Sequence, residues 1–211
     1  MWVITLATES GRRRSQSGEF ATPSGEDNLP AVLDQESFAG QMTQDDEGYI
    51  ANSDAGRMGK AVEYLVAAGC ILTTRGKLNV STSLVDDEGV DLVFFARGST
   101  ATLAVQVKAR MSDSKTVRTK DRFVTSVREA TFAPRRDLDM LFVLADVTEG
   151  RYTKTWLVPS TVFAGKTKLR NNQTRRFSAS LKATSQDQWT EFRLEPADLP
   201  NAILDRLAEL T

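Results

Sequence analysis

Ten residues, Leu138 to Val147, read LDMLFVLADV and form an almost continuous apolar run. The run is far shorter than a membrane span, and because it is continuous rather than alternating it suits a strand buried on both faces. Such a strand needs a sheet around it and covering layers above and below.

The rest of the chain supplies those parts. Met58, Ala61, Val62, Leu65 and Val66 recur at helical spacing. Ser53 or Asp54 can cap that helix, and Gly69 is its expected stop. Three strand-like runs follow, about Lys77 to Val85, Val90 to Arg97 and Ala101 to Ala109. The turns Asp86-Asp87-Glu88-Gly89 and Arg97-Gly98-Ser99-Thr100 join them into an antiparallel meander. A second helix is expected over about Thr119 to Phe132, with Phe123, Val127 and Ala130 on one face and Pro134 closing it. Tyr152 to Val158 then pairs with the apolar strand across Glu149-Gly150. A helical turn near Ser160 to Ala164, a strand near Trp189 to Leu194 and a closing helix from about Ala197 to Leu210 complete the reading. The order α-β-β-β-α-β-β with a C-terminal helix defines an α/β (α+β) fold, a central mixed sheet flanked by helices.

Charge divides the chain. Of 27 Lys/Arg and 28 Asp/Glu, three basic and nine acidic residues precede residue 51, leaving 24 and 19 in the body. The leader, residues 1–50, is rich in Ser, Gly, Gln, Asp and Glu, and is expected to be disordered. Residues 51–211 are expected to form a single domain. Met42 followed by Thr-Gln-Asp-Asp would serve as an alternative start, which the intact mass of the natively expressed protein would test. Trp2 to Ala7 is too short for a signal-peptide core. The expected setting is therefore soluble, reducing and cytoplasmic, with no membrane partner.

With no His and one Cys, Cys70, the chain cannot assemble a His/Cys zinc site, a Ser-His-Asp triad, a Cys-His pair or a disulfide. A metal here must be a hard cation held by oxygen. Glycine-rich phosphate loops are absent, which argues against nucleotide use. Trp156, Trp189, Phe142 and Phe163 are expected in the core, and Cys70 as a small buried apolar residue.

Asp91 opens one apolar run, while Gln106 and Lys108 interrupt the next. Two apart, Gln106 and Lys108 share a strand face, with Val105 and Val107 turned to the core. A Lys between buried neighbours needs a partner. Either the Asp91 and Lys108 pair is a structural salt bridge, or it is part of a site.

Gly-x-x-x-Glu-Tyr-Leu-x-x-x-Gly at Gly59 to Gly69, Gly-Val-Asp at Gly89 to Asp91, and Val-Gln-Val-Lys at Val105 to Lys108 together resemble the PD-(D/E)xK nuclease superfamily. They are similar to its QxK branch, the Mrr-type restriction endonucleases, over about Gly56 to Val158. The resemblance implies a restriction-endonuclease-like core and a Mg²⁺-dependent endonuclease, with Mn²⁺ able to substitute. Its substrate would be DNA, with RNA left open, in restriction, defence or repair. Asp91, Gln106, Lys108 and Glu63 would be catalytic, and Asp91, Glu63 and the Val107 carbonyl would hold the metal. A homodimer or a partner subunit is compatible with it. Gln106 departs from the usual Asp or Glu and brings an oxygen without charge, so the alternative is a nuclease-fold protein that binds nucleic acid or a partner without cleaving. Glu63 alone reads as an ordinary solvent-facing helix residue, and its place between Gly59 and Gly69 makes a ligand role an equal reading.

Two basic clusters offer phosphate contacts. One is Arg110, Lys115, Arg118, Lys120 and Arg122, next to Lys108. The other is Lys166, Lys168, Arg170, Arg175 and Arg176, inside an interval from Arg151 to Lys182 that contains no Asp or Glu. That second cluster is expected to be a mobile loop free of counter-charges.

Overall fold

The structure, a computed structural model, describes residues 53–82 and 89–211. The acidic leader, the alternative start at Met42 and the Asp86-Asp87-Glu88 turn lie outside the described residues. The elements are α1 (Ser53–Thr73), β1 (Leu78–Thr82), β2 (Leu92–Ala96), β3 (Thr102–Met111), α2 (Lys115–Lys120), β4 (Arg122–Arg128), β5 (Leu138–Asp146), β6 (Arg151–Pro159), α3 (Ser160–Lys166), β7 (Thr174–Ser180), β8 (Arg193–Leu194) and α4 (Leu199–Glu209). A main sheet runs β1-β2-β3-β5-β6-β8, and β4 pairs with β7 in a separate ribbon. Strands β3 and β5 are parallel, while the other neighbouring pairs are antiparallel. No helix among the described residues is long and apolar enough to cross a membrane.

The apolar run is β5, inside the sheet, and its alternation builds two cores. Leu141, Val143 and Ala145 face Val62, Val66 and Cys70 of α1 and Ile203 and Leu207 of α4. Met140, Phe142 and Leu144 face Phe123, Val127 and Phe177 of the β4–β7 ribbon, together with Trp156, Phe163 and Trp189. Both faces are dry, which is why the strand lacks polar alternation. The aromatics interlock in the second core, with Phe142 stacked on Phe177 at 3.6 Å between ring centroids.

The expected helix over Thr119 to Phe132 is instead the six-residue α2 followed by strand β4. Phe123 and Val127 are four apart, a spacing that fits a helical face and an even strand register alike. The deciding signal is Thr125, also buried between them, in a run rich in β-branched residues. Helix α1 continues through Gly69 to Thr73. The Tyr152 hydroxyl packs against Gly69, 2.8 Å from where a Cβ would stand, so this glycine serves a close approach within the helix. The stop lies further on, where Gly76 (φ 76°) donates its N–H to the Ile71 carbonyl at 2.9 Å. The strand expected near Trp189 to Leu194 is mostly a 3-10 turn, Thr190–Phe192, followed by the two-residue β8.

Candidate active site

Strand β2 begins just after Asp91, which uses both its backbone and its side chain. Its N–H donates to the Val105 carbonyl at 3.0 Å, but its Oδ2, in place of a main-chain carbonyl, accepts the Val107 N–H at 2.6 Å. Leu92 pairs with Val105, so Asp91 stands across from Gln106. Just upstream, Gly89 is buried with φ 66°, and a Cβ there would collide with Gln106 Nε2 and the Thr131 carbonyl. The turn therefore requires glycine twice, for its left-handed backbone and for the space taken by the amide.

Gln106 is 2% exposed, and its Oε1 is buried without a hydrogen-bond partner. A buried acceptor in that state favours a cation or a donor. Lys108, two residues on and on the same face, is half-buried.

Glu63 is buried on α1 beside Val62 and Val66 rather than solvent-facing. Lys60 Nζ donates to Glu63 Oε2 at 2.6 Å. The hydrogen bond to Glu63 holds the Lys60 ammonium above its usual range, partly offset by burial and reinforced by the charges of Glu63 and Asp91. Both carboxylates thus act on one ammonium. Sequence reasoning passed over Lys60, whose signal was its three-residue spacing from Glu63 on a helix.

Among the described residues no three His, Cys, Asp or Glu side chains form a metal-ligating group. The available donors are instead the carboxylates of Glu63 and Asp91, the unsatisfied Gln106 amide oxygen and main-chain carbonyls. That all-oxygen set, short of charge, fits a hard cation that keeps several of its own waters.

The first basic cluster adjoins this centre. Arg110 continues the Gln106 and Lys108 row, and its Nε donates to the Val124 carbonyl of β4 at 2.7 Å. Lys115, Arg118 and Lys120 are exposed on α2, and Arg122 lies over Ser178, with Nη2 3.0 Å from its hydroxyl. The second cluster is not an acid-paired-free loop, because β7 runs through it and acids from elsewhere reach it. Arg175 grips Glu129 at 2.7 and 3.0 Å and also donates to the Ala164 and Thr167 carbonyls. Lys166 pairs with Glu191 at 2.8 Å. The side chains of Lys168, Arg170 and Arg176 lie at the solvent-exposed surface.

Fold and centre together define a mixed α/β protein in which Asp91 stands across from the buried Gln106 where β2 meets β3, while the charges of Glu63 and Asp91 both reach Lys60 of α1. No protein-family model matches the sequence, and no curated protein matches it. Among solved structures, a bacterial homing endonuclease aligns with 72% of this chain and 94% of its own, at TM-score 0.47 and 17% identity. Hjc, a Holliday junction resolvase of the archaeal hyperthermophile Archaeoglobus fulgidus, aligns with 68% of this chain and 96% of its own, at TM-score 0.37 and 12% identity.

Proposed function

We propose that the chain is a divalent-metal-dependent endonuclease of the QxK type that hydrolyses phosphodiester bonds in DNA. The observation that carries this reading is the buried, unsatisfied Oε1 of Gln106 directly across from Asp91. Asp91, Glu63, Gln106 Oε1 and the Val107 carbonyl would hold Mg²⁺ or Mn²⁺. When bound, such a cation makes water nucleophilic near neutral pH and offsets charge on the phosphorane. Lys108 holds the attacking water in line with phosphorus or receives the charge that develops on the phosphate oxygens. The water oxygen forms the new P–O bond as the bond to the leaving sugar oxygen breaks. Asp91 is held for this work by the Val107 N–H, which fixes its carboxylate without the freedom of an exposed side chain. Lys115, Arg118, Lys120, Arg122, Lys168, Arg170 and Arg176 supply phosphate contacts whose strength falls with salt.

One observation favours a second reading, binding without cleavage: the Lys60 ammonium already occupies Glu63, and Gln106 adds no charge. Supercoiled plasmid incubated with Mg²⁺, Mn²⁺ or a chelator separates the two. Cation-dependent nicking that falls about a hundredfold or more in both Asp91→Ala and Lys108→Ala is expected. Undiminished nicking in either variant removes the assignment. Binding with no nicking under any cation establishes the second reading.

A further inference from the structure

We propose that the Lys60 ammonium is a stand-in cation that holds Glu63 before a divalent metal arrives and competes with the metal for that carboxylate, so that Lys60 sets how tightly the metal is taken up. This rests on the endonuclease reading above and adds to it the residue that controls metal loading.

The pair is built into one turn of α1. Lys60 and Glu63 are three residues apart, which places them on one helix face, and Lys60 Nζ stands 2.6 Å from Glu63 Oε2. The two ends differ in their surroundings. The Glu63 side chain is 10% exposed, whereas that of Lys60 is 45% exposed. A carboxylate so far out of water needs a compensating cation to stay ionised. Lys60 supplies that cation, and in doing so keeps Glu63 in the charged form that a metal ligand must have. The lysine stem is flexible and lies at the surface, so the ammonium can release Glu63 into solvent without itself being stranded in the interior.

The ammonium also serves the centre incompletely. Gln106 Oε1 is buried without a hydrogen-bond partner, so no N–H of Lys60 reaches it. Asp91 acts on Lys60 through its charge, while its Oδ2 accepts the Val107 N–H. A monovalent donor therefore answers one carboxylate and leaves the amide oxygen unanswered. A divalent cation shared by Glu63, Asp91 and Gln106 Oε1 brings twice the charge and uses that oxygen as well. This difference lets the metal displace Lys60, and the competition keeps metal binding loose.

Mn²⁺ binding to the DNA-free protein, read from the electron paramagnetic resonance signal of the free ion at one neutral pH, tests this. Lys60→Met should bind Mn²⁺ about tenfold more tightly than the wild type. Lys60→Arg keeps a competing cation and should bind like the wild type. The gain should vanish where there is no carboxylate to contest: adding Lys60→Met to Glu63→Gln should change Mn²⁺ affinity far less than adding it to the wild type. A lysine that only supported the helix would show no such coupling. Equal or weaker binding by Lys60→Met, the same gain in Lys60→Arg or in the Glu63→Gln background, or no uptake of Mn²⁺ by either wild type or Lys60→Met would overturn the assignment. The plasmid assay reports separately. Cation-dependent nicking that needs Asp91, beside unchanged Mn²⁺ affinity in Lys60→Met, keeps the nuclease and removes the role of Lys60. Tighter Mn²⁺ binding by Lys60→Met with no nicking by either protein does the reverse.

Discussion

Gln106 carries the sharpest conflict between stability and use. Leaving one buried acceptor unsatisfied costs about 1–3 kcal/mol, and leucine has nearly the same volume without the polar atom. The Gln106→Leu variant should therefore be more stable than the wild type in chelator, by roughly 1 kcal/mol or about 2–4 °C in melting temperature. It should also lose the extra stabilisation that Mg²⁺ gives the wild type, because the oxygen that would meet the cation is gone. Thermal melts in chelator and in Mg²⁺ measure both. A variant that melts lower in chelator would mean that the amide is satisfied in solution. Cys70 shows the opposite adjustment: burial pushes its thiol up to about 12, so it is an inert packing residue.

At the level of elements, the β2–β3 junction depends on a turn that accepts no side chain. Gly89→Ala would place a methyl group against Gln106 Nε2 and the Thr131 carbonyl while also forcing a left-handed residue. A loss of about 2–4 kcal/mol is expected in urea unfolding, together with loss of nicking. The ribbon has its own clasp. Hydrogen bonding to Arg175 holds the Glu129 carboxyl below its usual range, so the folded pKa lies below the unfolded value. The pair's contribution is thus present above the unfolded pKa of about 4.3 and fades as pH falls through the folded value. Glu129→Gln should unfold at lower urea than the wild type at pH 7, and the gap should close toward pH 3; a constant gap would show that the charge plays no part. The clasp also marks what local patterning conceals. Strand β5 was legible because eight apolar residues in a run of ten have few alternatives, and Asp91, Gln106 and Lys108 were legible because polar groups in apolar strands need a reason. Strand β4 was not, since Phe123 and Val127 satisfy two periods at once. Its partner β7 is 46 residues away, and the carboxylate that neutralises Arg175 comes from that distance too. An acid-free stretch of sequence is therefore no measure of an acid-free surface.

At the scale of the molecule, β5 and β6 both divide the two cores, and the closing helix is tied to β5 by a charge. Asp139 is 0% exposed in the middle of the sheet, and Arg206 of α4 covers it with hydrogen bonds at 2.9 and 3.0 Å. Burial pushes the Asp139 carboxyl up and Arg206 pulls it down, while the same contact holds the guanidinium firmly protonated. The sequence pattern indicated a helix with Leu199, Ile203, Leu207 and Leu210 on its face, but Asp139 had no visible partner there, because ion pairs across 67 residues leave no periodic trace. The pair fixes α4 along the face that also seats α1, and α1 carries Glu63 and Lys60. Arg206→Met keeps the helix face apolar yet leaves a buried carboxylate alone, and a loss of about 3–5 kcal/mol is expected. Asp139→Asn combined with Arg206→Met removes that stranded charge and should recover much of the loss. Urea midpoints of the two variants decide between a stranded charge and lost packing: equal midpoints would assign the whole effect to packing of the arginine stem.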